Sequence, residues 1–329
     1  MKIGIIGLGS FGLSLSRHFA LKNPEETIIV WGYSIDEVEM FNTNKQTKYL
    51  KNIVFPNNIY ATNSLKEAVE DKDIIIHVTP SAFAKDIHIQ YSKYLKEDAY
   101  VVICSKGFDK TEETVLYNVF KKHMKSENIG VLTGPTHAEE ISQDIKSAII
   151  IASENDKLRK QIVKLFDTNI VRVYESNDII GAEIGGALKN IIAFCAGICV
   201  ELKQGDNTFA ALCTRGLVEI SRFAVKLGGK EKTIYGLSGL GDLIVTCSSM
   251  HSRNRRAGML LAKGLKKDEI ETEIGMVVES IQNLEIAKKI ADKIGVEMPI
   301  LNAVYSVVFE NVQVEYAISK LMNRTLREE

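Results

Sequence analysis

The sequence predicts an α/β chain in two parts: a doubly wound, mostly parallel sheet over residues 1–180 and an all-helical domain over residues 181–329. Three observations carry this. A short apolar run at the start, Ile3, Ile5 and Ile6, ends in a glycine turn and then a helical pattern. β-branched runs and helical patterns alternate from there to Tyr174, the order from which parallel sheets are built. From about Asp178 the β-branched runs stop, and long tracts rich in alanine and isoleucine replace them, the composition of helices buried at the heart of a domain.

The turn is Gly7-Leu8-Gly9-Ser10-Phe11-Gly12, a G-x-G-x-x-G pattern, and Leu13, Leu15, Phe19 and Ala20 suit a helix beginning near Ser10. Each glycine has a physical task. Gly7 permits the tight turn, Gly9 leaves no side chain in front of a pyrophosphate, and Gly12 lets helix and strand pack closely. The helix then presents its free N–H groups to the phosphates. Strand, turn and helix in this order predict a Rossmann-like site for a dinucleotide.

At 329 residues, with 45% hydrophobic and 25% charged residues, the composition is that of an ordinary globular protein of two domains. The formal net charge of -1, from 41 basic and 42 acidic residues, supplies no field to recruit nucleic acid or an anionic membrane. The chain opens on a strand without a basic-then-apolar leader, and no apolar run of about 18 residues is expected, so the reading is cytoplasmic with no membrane insertion. The five cysteines, Cys104, Cys195, Cys199, Cys213 and Cys247, are odd in number and contain no C-x-x-C, which speaks against a disulfide framework or a zinc knuckle, and Cys195 and Cys199, on one helical face, read as small buried hydrophobes.

Thr27–Trp31 reads as the second strand. Its tip, Gly32-Tyr33-Ser34, carries neither the acid that would accept from a ribose 2′-OH nor a base for a 2′-phosphate. The choice between NAD(H) and NADP(H) therefore stays open, with Tyr33 as a contact on the adenine side. Asp73–Thr79 is a central strand in which His77 is expected to be a satisfied core histidine. Ala99–Cys104 delivers Lys106 to a strand's carboxyl end, where open sheets bind ligands. Asp109 with Glu112 predicts a capped helix over Glu112–Lys122. Ile129–Leu132 then feeds Gly134-Pro135-Thr136-His137-Ala138, again a strand, a glycine turn and a helix start able to meet an anion. No second histidine follows His137 at helical spacing, and no metal site is expected. Ser147–Ala152 and Ile170–Tyr174 supply the last strands.

The helical half begins with Gly181–Lys203, in which Gly185 and Gly186 predict a close backbone approach. Lys189 sits inside this apolar tract with Asn190 beside it, and burial would push an amine toward proton-transfer chemistry, unless it snorkels to the surface. Asn207–Leu227 is a second long helix. Gly236–Asp242 is dense in glycine and reads as a shaped loop rather than regular structure. Ser252, Arg253 and Asn254 open a helix over Asn254–Gly264 and together make a competent phosphate clamp. Further helices are expected over Val277–Lys293, Leu301–Glu310 and Val314–Leu321.

The motifs GLGSFG, KG, GPTHAEE, GGALKN, GDNTFAAL-TRG, GLGDLIVTC, SRN and VVES occur in that order, and with them the chain resembles the bacterial NAD(P)-dependent glycerol-3-phosphate dehydrogenases from Met1 to about Ala317. The resemblance implies interconversion of dihydroxyacetone phosphate and sn-glycerol 3-phosphate with NAD(P)H, feeding phospholipid synthesis. It makes Lys189 the proton donor and acceptor and places Lys106 at the junction of cofactor and substrate. It sets Gly134, Thr136, Asp242, Ser252, Arg253 and Asn254 around the substrate, and Ser10, Phe11, Ala138, Arg253, Val277 and Glu279 at the cofactor. Two departures stand out: Tyr33 and Ser34 where relatives often carry a basic residue, and His137 in place of an apolar aromatic. The apolar helices of the second half suggest a homodimer.

Two other readings use some of the same residues. One is a related two-domain dehydrogenase of another phosphorylated or 3-hydroxy acid substrate, which the Ser252-Arg253-Asn254 segment and the GLGDLIVTC motif disfavour. The other is a non-catalytic NAD(P)-binding redox sensor, which would not need both proton-handling and phosphate-binding groups. The catalytic reading requires that folding bring the amine of Lys189 and the guanidinium of Arg253 into one cleft.

Overall fold

A computed structural model describes residues 1–124 and 127–325, so the last four residues of the expected helical domain lie outside the described residues. The chain divides into two compact units, Met1–Glu183 and Ile184–Glu329. In the first unit the elements are β1 (Ile3–Ile6), α1 (Ser10–Lys22), β2 (Ile28–Trp31), α2 (Ile35–Asn44), β3 (Ile59–Thr62), α3 (Leu65–Val69), β4 (Ile74–His77) and α4 (Ser81–Ser92). They continue as β5 (Tyr100–Ile103), β6 (Phe108–Asp109), β7 (Thr114–Val115), α5 (Leu116–His123), β8 (Ile129–Thr133), α6 (Ala138–Ser142), β9 (Ser147–Ala152), α7 (Asp156–Phe166) and β10 (Val171–Ser176).

Eight strands form one sheet in the order β10-β9-β8-β5-β4-β1-β2-β3, and only the β8–β9 pair is antiparallel. The central strands β1, β4, β5 and β8 are almost wholly buried and rich in isoleucine and valine, whereas the edge strands β3 and β10 expose Tyr60, Arg172, Tyr174 and Glu175. Chain order runs outward in opposite directions from β1, so the switch point lies between β1 and β4, where Ile6 pairs with His77. Crevices at such points, beyond the carboxyl ends of the strands, are where open sheets take ligands.

The helix α8 (Ile179–Glu201) begins in the first unit and runs on into the second. There follow α9 (Gly205–Lys226), α10 (Glu231–Ile234), a π-helical turn (Leu237–Gly241), α11 (Asp242–Ser248), α12 (Arg253–Ala262), α13 (Lys267–Ile274), α14 (Glu279–Ile294), α15 (Pro299–Phe309) and α16 (Val314–Met322). α8 and α12 cross backbone to backbone. A Cβ on Gly197 would fall 1.9 Å from the Arg255 carbonyl oxygen, and one on Gly258 would fall 1.8 Å from that of Phe194.

Three expectations need correction. Glu112–Lys122 is not one helix: Phe108–Asp109 and Thr114–Val115 pair as a short antiparallel hairpin, and the helix starts only at Leu116. Asp109 accepts from the N–H groups of Thr111 and Glu112, so the cap-like spacing makes a hairpin turn, closed by Glu113 at positive φ. The glycine-dense stretch is not irregular either, because Leu237–Gly241 winds a π turn continuous with α11. Finally, α8 is long and apolar enough to cross a membrane by length and composition, although 89% of that window is buried in the fold. Its small residues let neighbours pack against it on nearly every side.

Two buried carboxylates join elements distant in sequence. Glu183 accepts from the Tyr117 N–H in the first turn of α5, and burial pushes its carboxyl up to about 8. Glu219 of α9 accepts from the N–H groups of Ile300 and Leu301, capping α15 behind Pro299. Burial pushes Glu219 up to about 7 from an ordinary 4.5. Its stabilising contribution is therefore full below the ordinary value and is lost as pH rises through about 7. Glu219→Gln should flatten this dependence. Its melting temperature relative to the parent is expected to rise between pH 5 and pH 8, by the equivalent of about 1–3 kcal/mol.

Candidate functional site

In the first unit, the turn after β1 has the shape a dinucleotide needs. Gly7 lies at φ +136, outside the range of an ordinary side chain, and a Cβ on Gly12 would fall 1.9 Å from the Gly7 carbonyl oxygen. Above Gly9 the space is open, with nothing within 4 Å of where its Cβ would stand. Gly9 is the N-cap of α1 and has no side chain to cap it, so the first N–H groups of that helix remain for phosphate oxygens. Ser10 and Phe11 sit half-buried on that first turn. Tyr33 projects from the tip of β2 at 89% exposure, and Ser34 accepts from Glu37 N–H as the N-cap of α2. Position and shape thus fit NAD(P).

Lys106, just beyond β5, donates through Nζ to the Gly134 carbonyl at 3.2 Å and to Thr136 Oγ1 at 3.3 Å. Ala138 opens α6 close by in sequence and is buried. Strand ends far apart in the chain thus deliver Lys106, Gly134 and Thr136 to one place, because β5 and β8 are neighbours in the sheet.

In the second unit, Lys189 does not snorkel. It is 6% exposed, forms a short ion pair with Asp242 Oδ1 and donates to Thr246 Oγ1 at 2.8 Å. The helix geometry explains the cluster. Gly185 lies one turn before Lys189, and a Cβ there would come within 2.6 Å of the Ser238 carbonyl oxygen, so the π turn presses directly on α8. That turn ends where Asp242 begins α11, and Thr246 follows one helical turn later on the same face. Thr246 was not singled out by the sequence reading, although its spacing of four from Asp242 is the signal that could have found it.

Asn190 points to a different side of α8. Its Oδ1 accepts from Asn254 Nδ2 at 2.9 Å, and its Nδ2 donates to Glu279 Oε2 at 3.1 Å. Asn254 Oδ1 in turn accepts from the Ser280 N–H. This network ties the starts of α12 and α14 to α8. Arg253, the first residue of α12, reaches the Val277 carbonyl at 3.5 Å, and Ser252 caps the helix by accepting from the Arg255 N–H. The hydrogen bond between Asn190 and Asn254, the sequence neighbours of Lys189 and Arg253, thus joins the two segments. Ser252 and Asn254 both fix the start of α12, and Arg253 between them carries a cationic side chain.

Among the described residues no group of three or more His, Cys, Asp or Glu is placed to hold a metal ion. Cys104, Cys195 and Cys247 are buried, whereas Cys199 and Cys213 are half-buried.

Comparison with known proteins shows the family. Residues 2–159 match the family model for the NAD-dependent glycerol-3-phosphate dehydrogenase N-terminus, and residues 178–319 match the one for the C-terminus. The chain belongs to this family. It is 42% identical over 328 residues to glycerol-3-phosphate dehydrogenase [NAD(P)+] of Clostridium tetani, covering 99% of this chain and 93% of the relative. Its identity to the protein of the same description from Fusobacterium nucleatum is 41%, covering 98% and 97%. The solved glycerol-3-phosphate dehydrogenase of Coxiella burnetii superposes with a TM-score of 0.94 at 32% identity, covering 98% of this chain and 99% of that one.

Asp242→Ala would strand the Lys189 charge in the interior. Urea denaturation should show a loss of about 3–5 kcal/mol, and Lys189→Met added to the same chain should recover most of it.

Proposed function

We propose that the protein interconverts dihydroxyacetone phosphate and sn-glycerol 3-phosphate, with NAD(P)H as hydride donor. The observation that carries this reading is the buried Lys189–Asp242–Thr246 cluster joined to the Arg253 segment, in a chain of this family. When bound, the nicotinamide cofactor supplies the hydride, and the protein must orient the substrate and manage one proton.

In the reducing direction Lys189, as its ammonium, donates to the carbonyl oxygen. Asp242 and Thr246 aim the amine and balance its charge. Lys106 stabilises the developing alkoxide, with Gly134 and Thr136 fixing its position. Arg253, supported by Ser252 and Asn254, grips the phosphate, and that binding energy orients the reacting end. Gly7, Gly9, Ser10, Phe11 and Gly12 hold the pyrophosphate, and Tyr33 meets the adenine side. Ala138, Val277 and Glu279 complete the cofactor contacts. The enzyme would act as a cytoplasmic homodimer without membrane insertion or nucleic acid, its product serving phospholipid synthesis. Residues 1–180 would hold most of the cofactor and residues 181–329 most of the substrate, with Lys106, Gly134 and Thr136 of the first part serving the substrate and Val277 and Glu279 of the second serving the cofactor.

Lys189→Ala should reduce kcat by about 10²–10⁴ while NAD(P)H affinity stays close to that of the parent. Near-native turnover in a NAD(P)H-oxidation assay with dihydroxyacetone phosphate would remove Lys189 from the mechanism. Arg253→Ala should raise the KM for dihydroxyacetone phosphate by roughly tenfold or more and leave unphosphorylated dihydroxyacetone nearly unaffected. An equal loss on both substrates would contradict the clamp. Initial rates with NADH and NADPH then decide the cofactor preference.

A further inference from the structure

β4 reads Ile74-Ile75-Ile76-His77, and the fourth place, fully buried like the other three, would ordinarily be apolar. The imidazole at that place has specific partners. Nε2 lies 2.6 Å from Thr79 Oγ1, and Nδ1 lies 3.2 Å from the hydroxyl of Tyr91 on α4. Phe120 of α5 packs edge-on against the ring, with centroids 4.9 Å apart. Burial lowers the imidazole well below its ordinary range, so the ring is neutral and carries one donor and one acceptor. Both hydroxyl partners can fill either role.

The contacts continue toward the ligand-binding rim of the sheet. The main-chain carbonyl of Thr79 accepts from the Ser105 hydroxyl, and the Cys104 N–H donates to the His77 carbonyl. Ser105 immediately precedes Lys106, whose Nζ reaches Gly134 and Thr136. On the other side, Gly7 closes on the same segment, since a Cβ there would come 2.8 Å from the Val78 carbonyl oxygen. Residues 78 and 79 are therefore held between the glycine turn after β1 and the tip of β5, at the switch point of the sheet.

We propose that His77 is a positioning residue: through Thr79 and Ser105 it sets the place of Lys106 on the ligand-facing rim. The inference rests on the role assigned above to Lys106. A valine at position 77 would fill much of the space and fold, yet leave Thr79 free to turn. The effect on the reaction would then travel mainly through Ser105 to Lys106.

The test is a double-mutant cycle on the full-length enzyme with dihydroxyacetone phosphate. His77→Val is expected to lower kcat/KM by about tenfold, chiefly in kcat, with the melting transition still cooperative. NAD(P)H affinity, read by cofactor fluorescence, should change by less than about threefold. In a Lys106→Ala background the same substitution should cost less than about twofold. His77→Asn, which can restore a hydrogen bond to Thr79, should recover part of the loss. If His77→Val does not fold, Thr79→Val carries the same expectations. The inference is overturned if His77→Val keeps kcat/KM within about twofold of the parent, or if its loss is equally large without Lys106. A parent unable to reduce dihydroxyacetone phosphate would instead sink the proposed reaction, and full activity of Lys106→Ala would sink the role of that lysine.

Discussion

The ion pair of Lys189 and Asp242 is the constraint on which the second unit depends. An ammonium deep in an apolar helix is tolerable only with a carboxylate and a further acceptor in contact, because the cost of desolvating either charge alone exceeds what packing returns. Asp242 and Thr246 meet that requirement from one face of α11. The π turn before α11 and the bare backbone of Gly185 bring the two helices close enough for the contact. A wide turn of this kind is a costly local geometry, found most often where a functional side chain must be aimed. The buried pair explains why the turn persists.

The same demand for partners shapes the surroundings. Asn190, Asn254, Glu279 and the Ser280 N–H form a connected set of polar contacts where α8, α12 and α14 meet. The proposed phosphate role of Arg253 would need a fixed helix start, and this set supplies it. In the first unit the equivalent order comes from the sheet. Parallel strands point their carboxyl ends the same way, so the glycine turn, the His77–Thr79 segment and Lys106 come to one rim although long stretches of chain separate them. Glu183 and Glu219 do similar work away from the rim, Glu183 accepting from one buried N–H and Glu219 from two at the start of a distant helix.

Much of this was legible in the residues. The β-branched runs ending at Thr79, Cys104 and Leu132 correspond to β4, β5 and β8 with ends shifted by a residue or so, because periodicity marks a strand's middle better than its limits. The glycine turn announced its own geometry, and Lys189 drew notice simply by being charged in an apolar tract. Asp109 and Glu112 misled, since an Asx turn and a helix cap share the same spacing and differ only in what the chain does next. Gly236–Asp242 misled for a related reason: glycine suits a loop, but it also suits a helical turn pressed against another backbone. Thr246 gave only its spacing of four from Asp242, and the Tyr91 partner of His77 gave no local sign.

What the sequence by itself determined is the order of elements, the dinucleotide turn, the buried character of α8 and the list of charged and polar groups with chemistry to offer. Those follow from local sterics and from the period of apolar residues, which act over a few residues at a time. Tertiary structure alone decided the pairings: that Lys189 finds Asp242, that Asn190 finds Asn254, and that Ser105, beside Lys106, finds the Thr79 carbonyl. A hydrogen bond or an ion pair depends on ångström-scale approach between segments that only the packing of the whole fold brings together.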